Sequence, residues 1–192
     1  MRDVELVRRL LGLKAPWIVR KIELSEDGRR VNVRLGHRRG YIWPCPECGD
    51  LYRLYGHTPE RSWRHLDTWQ CLTYLLARVP RIRCTEHGVK CVELPWAETG
   101  ARYTHQFECY AIDVLTESNV DGASRILRLG WRSAWHIMER AVNRGLARKS
   151  RAPPRRIGVD EKAIAKGHKY VTIVCDLDGG TVEYVADDRR KR

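Results

Sequence analysis

Two short pairs of potential metal ligands stand out in the sequence. Cys45 and Cys48 are separated by two residues, and the same spacing separates Cys84 from His87. Structural zinc sites use this spacing, because each pair turns tightly enough to present both of its ligands to one tetrahedral ion. Cys91 is an alternative to His87 as the fourth ligand. The spacing predicts a structural Zn²⁺ held by Cys45, Cys48, Cys84 and His87, with about one ion per chain.

Cysteines at this spacing have two other common roles. A C-x-x-C pair is also a redox motif, and a single cysteine is often just a small buried apolar residue. Redox pairs lie where a strand meets a helix, whereas Cys45 lies between Pro44 and Pro46, and Gly49 follows Cys48. Prolines and a glycine at these positions favour a tight knuckle turn, and therefore the metal site.

The chain is strongly basic, with 36 lysines and arginines against 24 acidic residues and a formal net charge of +12. Its length of 192 residues fits one ordinary domain or several small ones, and small domains often need a metal to supplement a thin core. The excess of arginine favours an acidic partner such as nucleic-acid phosphate, although a basic protein with no nucleic-acid partner has the same composition.

The cysteine count and the N-terminal segment indicate the cellular compartment in which the protein is expected. Seven cysteines is an odd number, and metal spacing explains two pairs better than a disulfide framework does. Residues 1–14 resemble an amphipathic helix rather than a secretory signal, and no apolar run is long enough to span a bilayer. We therefore expect a cytoplasmic, nucleoid-associated protein with no membrane partner.

The segments before the first ligand pair have a β pattern. Apolar and polar residues alternate over 17–24 and 30–35, and residues 25–28 between them are typical of a turn. This pattern predicts a β-hairpin that leads into the ligand pair. The basic segment 36–40 that follows is either a phosphate contact or a solvated loop.

A further alternating strand over 69–79 leads to Cys84, so the metal would join two hairpins in a zinc-ribbon-like unit spanning 1–98. Arg61 and Arg64 precede this strand. Their side chains are candidates for contacts with DNA phosphate, and a solvated strand face is an equally good explanation for either one.

After a linker at 93–100, the repeat of apolar residues changes from every two residues to about every three and a half. Thr104 is a candidate N-cap for one helix, a short helix over 120–127 follows, and a longer helix begins near Ser133 after a tight turn. This order is typical of a helix-turn-helix, here over 99–150, although an ordinary three-helix bundle with a charged outer face produces the same pattern.

The longer helix offers candidate contacts with DNA. In a helix-turn-helix the last helix enters the major groove with its first turns. Those turns hold Arg132, Ser133 and His136, which would read base edges, while Arg140 and Arg144 would lie near the DNA backbone. The opposite face is a predicted core stripe of three residues, Trp135, Met138 and Ala141.

A basic segment broken by prolines follows at 148–156. It cannot form a regular helix, and its Arg148, Lys149 and Arg151 are candidates for contacts along a phosphate backbone. Three short strands are then predicted, over 157–162, 169–176 and 181–185, and the last two are joined by a hairpin turn at 178–180.

Several short segments, taken in order, are more specific than any one of them. They are Cys45-Pro46-Glu47-Cys48, Arg64-His65-Leu66-Asp67, Arg83-Cys84, Leu94-Pro95-Trp96-Ala97, Arg140-Ala141-Val142, Arg144-Gly145-Leu146, Ile157-Gly158-Val159-Asp160-Glu161-Lys162 and Asp176-Leu177-Asp178-Gly179-Gly180. Together they resemble the ISL3 family of bacterial insertion-sequence transposases over essentially the whole chain. The sequence departs from the family at His87, where a cysteine is usual, but imidazole is a competent zinc ligand.

The resemblance implies a ribonuclease-H-like catalytic domain in which a D-D-E set of acidic residues holds two divalent metals. Asp160 matches the first acid of this set. Two cations held close together need several converging carboxylates, so Mg²⁺ is expected only with a complete catalytic domain. The chain ends before the region that would supply the other two acids. Residues 151–192 are thus expected to be a linker and the first strands of a truncated domain with no independent activity.

These inferences predict an α+β multidomain protein with a zinc-ribbon-like β unit, a three-helix helix-turn-helix unit and an incomplete ribonuclease-H-like strand set. The expected function is that of a transposase in DNA transposition, which binds double-stranded DNA at the terminal inverted repeats. A second copy of the chain or a full-length transposase is a candidate partner. The alternative is a non-catalytic regulator or inhibitor of the intact transposase.

Overall fold

Four helices and ten strands form in the computed structural model, which describes residues 3–149, 152–165 and 169–186. This is the predicted α+β class. The chain divides into two compact units, Met1–Asn143 and Arg144–Arg192. Among the described helices, none combines the length and the apolar character that a membrane span requires.

The first unit begins with a short amphipathic helix, α1 (Asp3–Leu10), and Gly12 follows it with a left-handed backbone at φ +63°. The strands of this unit are β1 (Trp17–Leu24), β2 (Arg30–His37), β3 (Trp43–Pro44), β4 (Leu51–Tyr52), β5 (Leu54–Thr68), β6 (Cys71–Cys84) and β7 (Gly88–Cys91). β3 and β4 pair with each other, and the other strands form one sheet in the order β1-β2-β6-β5, with β7 pairing with β6.

The hairpin predicted before the first ligand pair is confirmed. β1 and β2 pair antiparallel, and Gly28 in the connecting turn has the positive φ of +65° that favours glycine. β2 then pairs in parallel with the start of β6, and β5 and β6 form a long antiparallel hairpin. β6 is therefore the central strand, and its second half also pairs with β7.

β5 is the strand that the sequence pattern did not predict. It lies at the edge of the sheet, so one side of it faces solvent and carries charged residues such as Glu60. Trp63 on the same strand is fully buried. Charged residues also occupy covered positions of this strand, where Arg64 pairs with Asp67, which explains why the apolar alternation is weak there.

Tryptophan side chains form the centre of the core of this unit. The ring centroids of Trp17 and Trp43 are 5.3 Å apart, and those of Trp17 and Trp96 are 4.6 Å apart in an edge-to-face arrangement. Trp63 packs against Trp96 at 5.7 Å. Segment 93–100, predicted to be a linker, is thus partly core, because Trp96 and Ala97 are both buried.

Three helices complete the first unit, with bounds close to the predicted ones: α2 (His105–Glu117), α3 (Val120–Leu127) and α4 (Trp131–Arg148). The side-chain hydroxyl of Thr104 accepts a hydrogen bond from the Phe107 amide, so the predicted N-cap is confirmed. A second, smaller core forms between these helices from Phe107, Ala111, Ala123, Leu127 and Ile137.

The start and the buried face of α4 differ from the prediction. The helix begins at Trp131, and the carbonyl of Gly130 accepts from the amides of Ser133 and Ala134, so Ser133 lies in the first turn and does not cap the helix. Ala134 and Ile137 are the buried residues, whereas Trp135 is 40% exposed. Trp135 is therefore not a core residue. It stacks on the exposed Trp131 one turn earlier, at a centroid distance of 5.3 Å.

Hydrogen bonds fix the helices to the edge of the sheet. The backbone of Arg64 on β5 bonds to Arg102 at 2.9 Å and to Thr104 at 3.0 Å. His65 Nδ1 lies 2.9 Å from the Thr104 hydroxyl, so the residue that caps α2 is held from two directions. The zinc-ribbon-like sheet and the three helices consequently share one unit.

The second unit contains the last turns of α4 and three antiparallel strands, β8 (Ile157–Ala165), β9 (Lys169–Asp176) and β10 (Thr181–Ala186), in the order β10-β9-β8. The predicted strands and hairpin are confirmed. Many of the apolar residues here remain exposed, including Val159 and Tyr184. Lys149 donates to the Val182 carbonyl at 2.5 Å and pairs with Glu183 at 2.7 Å.

Candidate metal centre and nucleic-acid interface

The four predicted zinc ligands lie together in the first unit. One ligand atom from each of Cys45, Cys48, Cys84 and His87 lies within 4.8 Å of every other. The sulfurs of Cys48 and Cys84 are 3.7 Å apart, and His87 Nδ1 is 3.5 Å from the Cys84 sulfur and 3.9 Å from that of Cys45. Zn–S and Zn–N bonds of normal length give tetrahedral edges of about 3.8 and 3.6 Å, so the cluster has the size of a zinc site.

Two hairpins position these ligands. The first pair lies between β3 and β4, where the Gly49 amide donates to the Cys45 carbonyl at 2.9 Å. The second pair begins at the last residue of β6 and turns into β7. Gly49 and Gly88 each follow a ligand pair directly and have φ values of +80° and +68°, which a side chain would disfavour. Gly88 directly after the second ligand pair is therefore a further sequence signal for a tight turn, in addition to the ligand spacing.

The identity of the fourth ligand follows from the geometry. Cys91 is exposed on β7, where it pairs with Arg81, and it is not part of the ligand cluster. His87 takes the fourth position. Its other ring nitrogen, Nε2, lies 3.5 Å from the Glu47 carboxylate, which pairs in turn with Lys90 at 2.5 Å. A carboxylate behind a ligating histidine orients the ring toward the metal, and sequence analysis did not identify Glu47 in this role.

The sulfurs are close enough for negative charges on them to repel each other. Burial opposes ionisation of the Cys84 thiol, but hydrogen bonding with the Tyr52 hydroxyl and with His87 lowers its pKa to about 6. The Asp50 amide favours the Cys48 thiolate, yet burial and the neighbouring sulfurs raise the pKa of Cys48 to about 12. A charge on one sulfur therefore disfavours ionisation of its neighbour. A divalent cation would offset this repulsion by binding all three sulfurs as thiolates. The donor set fits a structural Zn²⁺.

Alignments with curated relatives cover the whole chain. The chain is 32% identical over 197 residues to the transposase for insertion sequence element IS1557 from two strains of Mycobacterium tuberculosis. This alignment covers 100% of this chain and 44% of each relative. It is 26% identical over 193 residues to the transposase for IS1001 from Bordetella parapertussis, which covers 100% of this chain and 47% of that protein. The chain thus spans about half the length of these relatives. No solved structure matches it significantly.

Two family models match consecutive parts of the first unit. The zinc-finger of transposase IS204/IS1001/IS1096/IS1165 matches residues 42–87, which include every clustered ligand. The helix-turn-helix domain of transposase family ISL3 matches residues 92–142, which include α2, α3 and most of α4. The chain belongs to the ISL3 transposase family. Its zinc-finger region contains the ligand cluster with β3 to β6, and its helix-turn-helix region contains the three helices beside the sheet.

In this ISL3-family chain, the predicted base-reading residues differ in accessibility. Arg132 and His136 are exposed on the first turns of α4, and Ser133 is half-buried. His136 lies 3.2 Å from the Glu139 carboxylate on the same helix. The stacked Trp131 and Trp135 are exposed on these turns as well, and sequence analysis missed them because it assigned Trp135 to the core.

The predicted phosphate contacts on β5 have internal partners. The Arg64 guanidinium is buried, forms an ion pair with Asp67 and lies 5.0 Å from the Phe107 ring centroid. This burial argues against the phosphate contact expected for Arg64, because its charge is already compensated inside the protein. Arg61 is half-buried and donates to the Ala101 carbonyl at 3.2 Å, so it helps to hold the segment before α2.

Arg140 and the basic residues after it have varied surroundings. Arg140 forms an ion pair with Glu108, which is buried on α2, so this arginine links α4 to α2. Arg144 is half-buried and Arg148 is exposed at the end of α4. Lys149 is engaged with β10, as described above. The predicted contact Arg151 lies outside the described residues.

Asp160, which matches the first acid of the D-D-E set, is exposed on β8 and accepts a hydrogen bond from the Glu161 amide at 2.8 Å. Asp176 accepts from the Asp178 amide at 2.9 Å, as expected for a turn. Among the described residues, the only group of three or more potential metal ligands is the zinc cluster. Asp160 thus has no assembled carboxylate site in the part of the chain that the structure describes.

Proposed function

We propose that this chain binds double-stranded DNA at the terminal inverted repeats of an insertion sequence, as the DNA-recognition part of a transposase that acts in DNA transposition. The observation that carries the proposal is the combination, in one compact unit, of a tetrahedral Cys₃His cluster and a helix-turn-helix, each matched by a transposase family model. The excess positive charge of the chain supports a phosphate-rich partner.

In this proposal the first turns of α4 read base edges in the major groove. Arg132 and His136 are accessible there, and arginine pairs in a bidentate manner with guanine. The ion pair between Arg140 and buried Glu108 sets the orientation of α4 on α2. Arg144 and Arg148, further along the helix, would lie near phosphates.

The ligand cluster has a structural role in this proposal. Cys45, Cys48, Cys84 and His87 would hold Zn²⁺, which supplies a cross-link between the β3–β4 and β6–β7 hairpins rather than reaction chemistry. This cross-link anchors one end of β6. The other end of β6 joins β5, to which the cap of α2 is bonded. The cluster thus supports the sheet on which the helices rest.

The catalytic part of the proposal concerns Asp160 in a chain of the length of the curated relatives. There it would be the first of three carboxylates on a ribonuclease-H-like sheet that bind divalent metal such as Mg²⁺, which activates water and stabilises the leaving oxygen. The support is its position on the first strand of the second unit. In such a chain, Asp160→Asn should abolish strand cleavage and leave binding to DNA ends unchanged.

A binding experiment tests the recognition function. The affinity of the zinc-loaded chain is measured for a labelled inverted-repeat duplex and for a shuffled duplex of the same composition. We expect a clear preference for the repeat, and we expect Arg132→Ala to reduce that preference roughly tenfold or more, because one bidentate base contact discriminates by that order. Arg148→Ala is the matched control, since loss of a phosphate contact should weaken both duplexes equally. Equal affinity of the unmodified chain for both duplexes would exclude sequence-specific recognition.

A further inference from the structure

A basic groove lies on the N-terminal sheet. It includes part of the segment 36–40, for which the sequence left a phosphate contact and a solvated loop as alternatives, but none of the DNA contacts predicted on β5 or α4. It has a volume of about 940 Å³ and lies between the β1–β2 hairpin, the segment at 39–42 and residues of β5 and β6. The charged and titratable residues that line it are Arg20, Arg34, Arg39, Arg53, Arg78, His37, His57 and Glu60. Five guanidinium groups thus face a single carboxylate.

Most of the positive charge in this groove is uncompensated. Arg34 is neutralised, because it pairs with Glu23 at 2.6 Å and with Glu60 at 2.7 Å. Arg20 donates to the backbone carbonyl of His37 at 3.0 Å, which is not an anionic partner. Three further arginines, Arg39, Arg53 and Arg78, are exposed and form no ion pair within the described part of the chain. An anion in the groove would therefore meet cations that have no other partner.

Two histidines at the groove bond to each other, and in the part of the chain that the structure describes they belong to no group of three or more potential metal ligands. His37 Nε2 and His57 Nε2 are 2.9 Å apart, and the rings are stacked with centroids 5.2 Å apart. His37 Nδ1 lies 3.0 Å from the Arg38 carbonyl, which can only accept, so the neutral His37 ring accepts at Nε2 and His57 donates. A metal ion would break this bond and would have to bind among guanidinium groups. The groove favours an anion.

Apolar side chains accompany the cations. Tyr41, Ile42 and Leu54 line the groove and are exposed. Tyr41 is held in place by an edge-to-face contact with the buried Trp43, at a centroid distance of 4.8 Å. A mixture of exposed apolar and cationic side chains suits a nucleic acid, which offers both sugars and phosphates, more than it suits a small anion.

We propose that this groove binds the phosphate backbone of duplex DNA, as a contact separate from the base-reading turns of α4. The inference rests on the DNA-binding function proposed above and adds a surface to it. Arg20, Arg34 and Arg39 precede the region that the zinc-finger model matches, so the family match does not assign them this role. The groove and the reading turns belong to the same compact unit.

The experiment measures how DNA affinity depends on salt. Binding of the zinc-loaded chain to a labelled shuffled duplex is followed over a series of salt concentrations for the unmodified chain and for the triple variant Arg39→Ala, Arg53→Ala, Arg78→Ala. Each phosphate contact contributes about 0.9 to the slope of log affinity against log salt, so the slope should decrease by about two to three. The same slope implies a loss of roughly eightfold in affinity per contact at 0.1 M salt.

Two control variants make the result specific. Arg9→Ala also removes one positive charge, but Arg9 is on α1, pairs with Glu5 at 3.0 Å and does not line the groove, so the slope should not change. Lysine at the three groove positions keeps the charge and should restore most of the slope. If the alanine triple variant has the slope of the unmodified chain, or if lysine fails to restore a lost slope, the groove is not a phosphate site.

The outcome is independent of sequence recognition. Phosphate contacts carry no sequence information, so the triple variant should keep whatever preference the unmodified chain shows for the inverted repeat. A chain with no such preference would contradict the recognition function, whereas its salt slope on the shuffled duplex would still report on the groove. The zinc content of each variant, measured in parallel, verifies that the exposed substitutions leave the fold intact.

Discussion

The two units both contain antiparallel strands, but they bury their apolar residues to very different extents. In the first unit Trp63, Leu75 and Ile82 are fully buried, and a ligand cluster joins two of its hairpins. In the second unit Val159 and Tyr184 are 63% and 64% exposed. An alternating pattern is thus enough to specify strands, whereas a stable sheet also needs something to cover it. The first unit supplies its own cover from tryptophans and helices.

The largest expected effect comes from loss of the metal. Cys84→Ser should reduce the zinc content from about one per chain to a small fraction, because a structural zinc site contributes on the order of 10 kcal/mol of binding free energy that also stabilises the fold. Elemental analysis measures the metal. Hydrogen exchange should show faster exchange in β6 and β7, while the strands of the second unit exchange as before.

The control for this prediction is Cys91→Ser. Cys91 lies on β7 close in sequence to the ligands, but it is exposed and outside the cluster. The zinc content and the hydrogen exchange of the variant should therefore equal those of the unmodified chain. Loss of zinc from the Cys91 variant would contradict the assignment of His87 as the fourth ligand. Retention of zinc in the Cys84 variant would contradict the role of Cys84 as a ligand.

The next effect tests the buried core of the first unit. Trp63→Ala should lower the free energy of unfolding by about 3–5 kcal/mol, because it removes a fully buried ring that packs against Trp96. Denaturant unfolding of the zinc-loaded chain measures this change. Trp69→Ala is the matched control, since Trp69 is 90% exposed in the turn between β5 and β6. This replacement should lower the free energy of unfolding by no more than about 0.5 kcal/mol. Similar midpoints for the two variants would contradict the proposed core.

The sequence predicted the zinc cluster and the three helices well, because both depend on local rules. C-x-x-C spacing followed by Gly49 specifies a knuckle within a few residues, and Thr104 caps α2 through its own neighbours. The bounds of α3 were predicted from turn residues and periodicity in the same way. Each ligand pair and each helix cap needs only its own neighbours, although the fold of the sheet must still bring the two ligand pairs together.

The features that pattern could not decide depend on contacts between distant segments. Arg64 is a candidate for phosphate contact in the sequence, but β5 packs against α2 and places its guanidinium beside Asp67 and Phe107. Trp135 seemed to belong to a core stripe, but Ala134 and Ile137 face the other helices instead. An arginine or a tryptophan does not by itself specify which side of its element is covered, so pattern alone cannot decide these cases.

A smaller effect should appear in the pH dependence of the first unit. Burial, together with the nearby Arg64 guanidinium, lowers the pKa of His65 to about 4 from its ordinary value of 6.5. The unfolded chain binds a proton as the pH falls through 6.5, while the folded protein keeps the imidazole neutral until about 4. Stability is therefore present above pH 6.5 and decreases between these two values, by on the order of 2 kcal/mol.

Urea unfolding at several pH values, with excess zinc, measures this decrease. His65→Gln keeps a side chain that can bond to the Thr104 hydroxyl but does not titrate, so the difference between the two chains isolates the histidine from the acid sensitivity of the metal site. Equal pH dependence of the two chains would show that His65 is accessible to protons in the folded state.

The smallest expected effect concerns the exposed sheet of the second unit. Tyr184→Ala removes a large side chain from β10, yet it should change stability by no more than about 0.5 kcal/mol, because the ring is largely in solvent already. Val171→Ala on β9 is the control, since Val171 is a buried apolar residue of this sheet, and its truncation should cost about 1 kcal/mol or more. Hydrogen exchange of β9 and β10 measures both changes locally. A larger loss for Tyr184 than for Val171 would mean that the Tyr184 face is covered in solution, and the contrast between the two units would then disappear.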